Sequence, residues 1–444
     1  MTAVAERPAA ARLKGHWIDD WKPEDPAFWA NGGSAIAKRN LIFSIFSEHI
    51  GFSVWSLWSV MVLFLGPQYG FDPAQKFLLT AVPTLVGAGL RIPYTFAVAR
   101  FGGRNWTIVS ASLLLIPAVL AAVLIEPGVS YTTLLILAAT AGVGGGNFAS
   151  SMANINAFYP NRLKGWALGI NAGGGNLGVA AVQLIGLFVL AVAGAGHPGY
   201  VAGVYIPLIV LAALGSALRM DNLSQARNEK RGMRDAVKES HTWVMSLLYI
   251  GTFGSFIGFG FAFGQVLQVQ FADQFNTPIK AAYLTFLGPL LGSLIRPVGG
   301  ALADRLGGAR VTFVNFIAMA VGASVVLVAA QQRSLPLYIA GFISLFVLSG
   351  LGNGSTYKMI PAIFKAKYAG DDHQARRISG AVIGIAGAVG AVGGVLVNLA
   401  FRQSFLTYKD ADAAYLGFIG FYALCVLVTW VVYLRPGARR TLAV

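Results

Sequence analysis

The sequence predicts an all-α membrane protein of twelve transmembrane helices in two pseudo-symmetric six-helix halves. Three observations carry this expectation. The 444 residues are 56% hydrophobic and 11% charged, with a mean hydropathy of +0.65, roughly half the charged fraction of a soluble domain. Apolar runs recur from residue 41 to residue 434, each of the ~20 residues needed to cross a hydrocarbon core. The chain also repeats itself. Arg91, Arg100, Gly102 and Gly103 recur at an offset of 205 as Arg296, Arg305, Gly307 and Gly308. Gly165, Gly169, Gly175 and Gly178 recur at an offset of 215 as Gly380, Gly384, Gly390 and Gly393.

Residues 1–40 form a polar and aromatic lead-in with no apolar core, so no cleavable leader is expected there. Within it, HWIDDWKPEDPAFW (16–29) is expected to lie on the membrane interface through its three tryptophans. The first half, 41–219, then holds spans at 41–65, 75–98, 105–125, 131–158, 165–193 and 200–219. The polar segment that follows, rich in both charge signs, makes 220–242 the linker between halves. The second half, 243–434, holds spans at 243–270, 280–303, 309–330, 336–364, 378–401 and 411–434, and 435–444 is the tail.

Twelve spans put the basic clusters at Lys38–Arg39, Arg100–Arg104, Arg162–Lys164, Arg219–Lys238, Arg305–Arg310, Lys365–Arg377 and Arg435–Arg440 on one side. The opposite loops hold few cations, among them Lys280, Arg333, Arg402 and Lys409. This asymmetry places both termini in the cytoplasm, and it assigns the net charge of +15 to the membrane rather than to nucleic acid. The single Cys425 lies in an apolar span and leaves no intramolecular disulfide. The sequence shows no metal-spacing cluster, nucleophile elbow or phosphate loop, so neither an enzyme nor a cofactor or metal is expected.

Arg91 and Arg296 stand at equivalent places inside apolar spans. A guanidinium at mid-bilayer costs at least ~2.5 kcal/mol, and its forked donors match a planar oxyanion. Two of them suggest a grip on a small anion between the halves, although each could instead bond backbone carbonyls and stiffen its helix. The glycines of spans five and eleven, Gly165, Gly169, Gly173, Gly175, Gly380, Gly384, Gly387 and Gly390, let helices approach closely. Helices that pack without side chains can slide, and packing alone rarely needs Gly173–Gly174–Gly175 in a row, where each glycine costs ~1 kcal/mol of helix propensity.

The segments NFASSMANINAFYP (147–160), GINAGGGNLGVAAVQL (169–184), SLLYIGTFGSFIGF (246–259) and GLGNGSTYKMIPAIF (350–364) resemble the NarK nitrate/nitrite porters of the major facilitator superfamily. The loop Gly300–Arg310 resembles that superfamily's signature, whereas the first-half copy has Ala99 where the aspartate belongs. The resemblance runs from about residue 40 onward. It implies nitrate or nitrite as substrate, rocker-switch alternating access, a bacterial cytoplasmic membrane and a working monomer in the lipid bilayer. It also implies that Arg91 and Arg296 grip the substrate, that Asn176 and Tyr249 bond the anion or orient the arginines, and that Phe148 and Tyr357 sandwich it. Taken alone, those residues read as helix contacts, an interfacial tyrosine and ordinary packing, and Asn171 and Asn147 are equally plausible polar contacts.

Two departures bear on mechanism. Glu48–His49 sits in span one, where typical exchangers are apolar, and a carboxylate–histidine pair is the equipment of a proton relay, unless both side chains reach water near the interface. Lys358 stands beside Tyr357 and is expected either to counter Glu48 or to add a third cation to the anion path. The titratable pair in span one favours nitrate/proton symport. Nitrate/nitrite antiport is the alternative, followed by transport of another small oxyanion such as phosphate or an organophosphate, and by a nitrate sensor that binds without transport.

Overall fold

A computed structural model of the protein describes residues 12–13, 16–225 and 230–436. The ends of the expected lead-in and tail, and part of the linker, lie outside the described residues.

Among the described residues, twelve helices are long and apolar enough to span a membrane. The first six are α1 (Pro26–Phe64), α2 (Pro73–Phe101), α3 (Gly103–Leu124), α4 (Tyr131–Phe158), α5 (Asn161–Ala193) and α6 (Gly199–Arg219). The second six are α7 (Ser240–Gln270), α8 (Pro278–Leu306), α9 (Gly308–Gln331), α10 (Leu335–Lys367), α11 (Gln374–Thr407) and α12 (Asp412–Leu434). Local chemistry sets their ends. Asp72 caps α2 with a reciprocal Asp72–Gln75 box, and Gly102 and Gly307, both at positive φ, turn the chain sharply after α2 and α8. Each helix covers its expected apolar run to within a residue, with α11 extending four residues before and six beyond 378–401, and the largest departure is at the first. The first starts at Pro26, capped by Asp25, and bends at Asn31–Gly32 before continuing.

The two halves meet along equivalent pairs: α2 packs on α11, and α8 packs on α5. The repeat seen in the sequence therefore survives as a pseudo-two-fold relation in space. Helices α1, α4 and α7 are the most enclosed, while α3, α6 and α12 turn most of their surface outward.

One face of the bundle carries the N-terminal segment and the linker, and we call it the terminal face. Strand β1 (Arg12–Leu13) pairs antiparallel with β2 (Trp17–Ile18), which pairs parallel with β3 (Asn222–Leu223) of the linker. The expected interfacial tryptophans pack on protein instead. Trp21 is buried, donates to the Phe158 carbonyl at 3.1 Å and meets the Phe28 and Phe158 rings edge-on. Trp29 meets Tyr159, and Trp17 is spent in the small sheet. The carbonyl end of α4 offers Trp21 the partner that water at a membrane surface would otherwise supply. Linker residue Asp221 is fully buried and takes Arg39 Nη2 at 2.5 Å and Asn40 Nδ2 at 3.2 Å. The linker helix Lys230–Lys238 belongs to the other half, where Asp235 receives Arg377 at 2.8 Å, and the following Glu239 receives Lys367 and Tyr368.

Among the described residues, the hydrogen bonds joining the halves lie at Arg91 or on the opposite face. They are Thr80 to Asn398 at 2.7 Å, Gln183 to the Gly260 carbonyl at 2.8 Å, and Gln265 to the Pro73 carbonyl at 2.7 Å. Beside them Phe77 stacks on Phe401 and Phe405 at centroid distances of 5.6 and 5.5 Å. The opposite face is thus closed. A cavity of about 90 Å³ extends the other way, from Arg91 past Thr95, Asn156 and Gly384 toward the terminal face, several times the space one water needs.

Candidate functional site

Arg91 reaches from α2 into the centre of the bundle and is 1% exposed. Its Nε donates to the Gly145 carbonyl of α4 at 3.2 Å and its Nη1 to the Gly387 carbonyl of α11 at 2.6 Å. Gly145 permits the close approach of α4, since an added Cβ there would lie 2.7 Å from the Gly87 Cα of α2, whereas one at Gly387 would only touch Nη1 at 3.7 Å. Three rings surround the guanidinium carbon: Phe148 at 4.7 Å, Phe253 at 4.9 Å and Trp55 at 5.5 Å. Such contacts contribute ~0.5–2 kcal/mol each when desolvated. Nη2 is buried with no protein partner.

Arg296, its repeat equivalent on α8, is buried and donates Nη2 to the Tyr249 hydroxyl at 3.1 Å. Its guanidinium carbon lies 5.6 Å from the Tyr357 ring, and its Nη1 is also without a protein partner. The Tyr357 hydroxyl and both amide atoms of Asn176 are buried and unpartnered as well. An unsatisfied buried donor costs ~1–3 kcal/mol, more when charged. Two guanidinium nitrogens, a hydroxyl and an amide are therefore buried with no partner in the protein.

Phe148 and Tyr357 both line the cavity, together with Arg91, Gly380, Gly384 and Gly387. The ring most nearly parallel to Phe148 is Phe253, at 6.3 Å and 29°, and Phe253 in turn stacks on Tyr249 at 5.2 Å and 10°. Tyr357 meets Tyr249 at a tilt of 43°. Sequence reading missed Phe253. It sits in the single wide π turn Ile250–Gly254 that interrupts α7, a feature common at functional sites but one without a period to read.

Glu48 is fully buried rather than interfacial. Ser151 of α4 donates to its Oε2, Asn171 of α5 donates to the same oxygen at 2.5 Å, and Asn171 also donates to Ser151 Oγ at 2.9 Å. Asn171, expected among the anion ligands, thus serves Glu48. His49 Nδ1 lies 3.0 Å from the Gly174 carbonyl. Glu48 lies within electrostatic reach of both Arg91 and Arg296. Lys358 lies elsewhere. It forms an exposed ion pair with Asp304 at 2.8 Å, so it does not counter Glu48, because the long side chain finds the signature-loop carboxylate at the end of α8.

The glycines divide. Gly175 faces the Glu48 carboxyl, where an added Cβ would lie 2.7 Å from Cγ and Cδ. Gly390 faces the Tyr249 ring at 2.5 Å, and Gly393 faces the Gly254 Cα at 2.7 Å. Gly165, Gly169, Gly173, Gly380 and Gly384 have nothing within 4 Å of an added Cβ. Close helix packing is therefore absent at these five in this conformation.

The Major Facilitator Superfamily model matches residues 41–398. The nitrate/nitrite transporter NarU of Escherichia coli is 38% identical, over 94% of this chain and 96% of that protein. The probable nitrate/nitrite antiporter NarK2 of Thermus thermophilus is 35% identical, over 96% of this chain and 98% of that one. Among solved structures, the xylose transporter XylE from E. coli covers 89% of this chain and 98% of its own at a TM-score of 0.68 and 12% identity. A bacterial homologue of the human lysosomal transporter Spinster covers 92% and 98% at a TM-score of 0.65 and 14% identity, and these two likenesses show the fold. With two central arginines, a glycine-rich pair of helices and relatives matching almost end to end, the chain belongs to the NarK-type nitrate/nitrite porters of the major facilitator superfamily.

Proposed function

We propose that this protein carries nitrate across a bacterial cytoplasmic membrane by alternating access, as a nitrate/proton symporter with both termini in the cytoplasm. The observation that carries the anion is the set of unpartnered buried donors on Arg91, Arg296, Tyr357 and Asn176. A small ion offering only acceptors, flat enough to lie against the Phe148 and Phe253 rings, satisfies them. Nitrite has the same acceptor chemistry and is an expected second substrate. Doubly charged phosphate esters fit less well, since two guanidinium groups are the only cations among the described residues at this centre.

Coupling rests on Glu48. A negative charge on Glu48 and an anion between the arginines repel, so the anion and a proton on Glu48 favour each other's binding, and linkage makes that preference reciprocal. Bringing an anion in against an interior-negative potential costs ~2.3 kcal/mol per charge per 100 mV, which one cotransported proton cancels and two reverse. Nitrate/nitrite exchange is the second reading, supported by the name of the 35% identical NarK2 relative.

Labelled nitrate uptake into proteoliposomes separates the two. An imposed acid-outside gradient is expected to drive accumulation without internal nitrite. Uptake that requires internal nitrite and ignores the gradient would assign antiport.

A further inference from the structure

Ser151 has one hydroxyl hydrogen and two acceptors within reach. One is Glu48 Oε2; the other, at 3.1 Å, is the carbonyl of Phe148, one turn back on α4. It cannot serve both at once. Asn171 does not share this limit, because its two amide hydrogens reach Glu48 Oε2 and Ser151 Oγ separately. The second carboxyl oxygen, Oε1, has no partner, pressed against the surface that Gly175 leaves bare. Phe148 is the ring nearest the Arg91 guanidinium. Ser151 of α4 and Asn171 of α5 bond Glu48, Arg91 of α2, Arg296 of α8 and Tyr357 of α10 lie within its electrostatic reach, and the neighbouring His49 turns its Nδ1 to the Gly174 carbonyl.

We propose that Ser151 is a positioning residue that reports the proton on Glu48 to the anion site through the Phe148 backbone. This rests on the reading of Glu48 as the proton site. With Glu48 charged, Ser151 Oγ–H donates to Oε2 and the Phe148 carbonyl keeps only its helical bond. When a proton arrives on Oε2, the new O–H donates to Ser151 Oγ, and the serine hydrogen rotates onto the Phe148 carbonyl. No bond to carbon changes. The proton taken from water resides on Oε2 and returns to water on release. The rotation draws on the segment that carries Phe148 against Arg91, so the hold on the anion changes with the charge state of a residue that does not touch it.

The test is nitrate affinity of the purified full-length protein across pH 5.5 to 8.5, for the unaltered chain and for Glu48→Gln, Ser151→Ala and Ser151→Thr. Couplings of this kind fall between about 5-fold and 150-fold. The unaltered protein is expected to lose affinity as pH rises, by about tenfold across the range. Glu48→Gln is expected to be flat, Ser151→Ala to retain under a third of the coupling while still binding, and Ser151→Thr, which keeps the hydroxyl, to stay within about twofold of the unaltered chain. A Ser151→Ala profile as steep as the unaltered one, with Glu48→Gln flat, would overturn the serine's role and leave Glu48 standing. An unaltered protein without pH dependence, or a Glu48→Gln profile as steep as the unaltered one, would remove the proton site and this inference with it. A role in packing alone would lower affinity equally at every pH in both serine variants, and that outcome also overturns the proposal.

Discussion

At the scale of single residues, the centre of this protein depends on what a guanidinium can do and an ammonium cannot. Arg91 sends separate nitrogens to the Gly145 and Gly387 carbonyls, on helices of different halves, and leaves a third without a protein partner. Arg91→Lys keeps the charge but has one nitrogen for all three directions. Losing a hydrogen bond to a charged group costs ~1.5–3 kcal/mol, so nitrate uptake is expected to fall by about 10- to 100-fold, read as kcat/KM in proteoliposomes. Near-normal kinetics would take Arg91 out of the site. The arginines were legible because a buried cation inside an apolar run is conspicuous and occurs twice. Phe253 was not, because a phenylalanine in an apolar helix carries no signal until the π turn aims it. Lys358 misled for a related reason. Sequence neighbours place it beside Tyr357, but a four-carbon stem carries its charge to Asp304, 54 positions away.

Among the elements, α5 and α11 hold two kinds of glycine that look alike in sequence. Gly175 is filled from outside by the Glu48 carboxyl, whereas Gly169 and Gly384 face open space on the terminal side. The two kinds should respond differently. Gly175→Ala is expected to disturb the Glu48 seat at once, with a measurable loss of thermal stability. Gly169→Leu and Gly384→Leu should fold and melt normally yet transport poorly, because the bulk obstructs closure of that side. Cysteine labelling from the terminal face would then remain high with nitrate present. Full transport by the leucine variants would mean that these surfaces never approach. Repeat spacing found the glycines, and only the positions of neighbouring helices separate the two kinds.

For the whole molecule, the opposite face is held shut by a short inventory: Thr80 with Asn398, Gln183 and Gln265 on backbone carbonyls, and the Phe77 stack. Asn398→Ala removes the side-chain bond across the halves and leaves Thr80 its own helix carbonyl, Phe77, at 2.8 Å. A net ~1 kcal/mol per hydrogen bond corresponds to about a fivefold shift in population toward the state open on that face. The longer-distance component between spin labels near residues 70 and 409 is expected to gain population in that proportion, and an unchanged distribution would show that the bond does not bias the equilibrium. The architecture itself was legible as twelve spans in two repeated halves, since twelve apolar runs and two offset repeats leave little choice, whereas the α2–α11 and α5–α8 seams came only from the structure. The small sheet at the terminal face was not, because two-residue strands leave no alternation to detect.

That sheet makes the first half self-fastening. Its entering strand β2 is bonded to β3 just past its last helix, and Asp221 locks the same junction onto Arg39. The linker helix beyond is fastened to the second half by Asp235 and Glu239. Each half thus carries its own share of the linker. The stretch between residues 225 and 230 is consequently where the gene could be cut in two, with both products co-expressed as separate chains that find each other along the α2–α11 and α5–α8 seams.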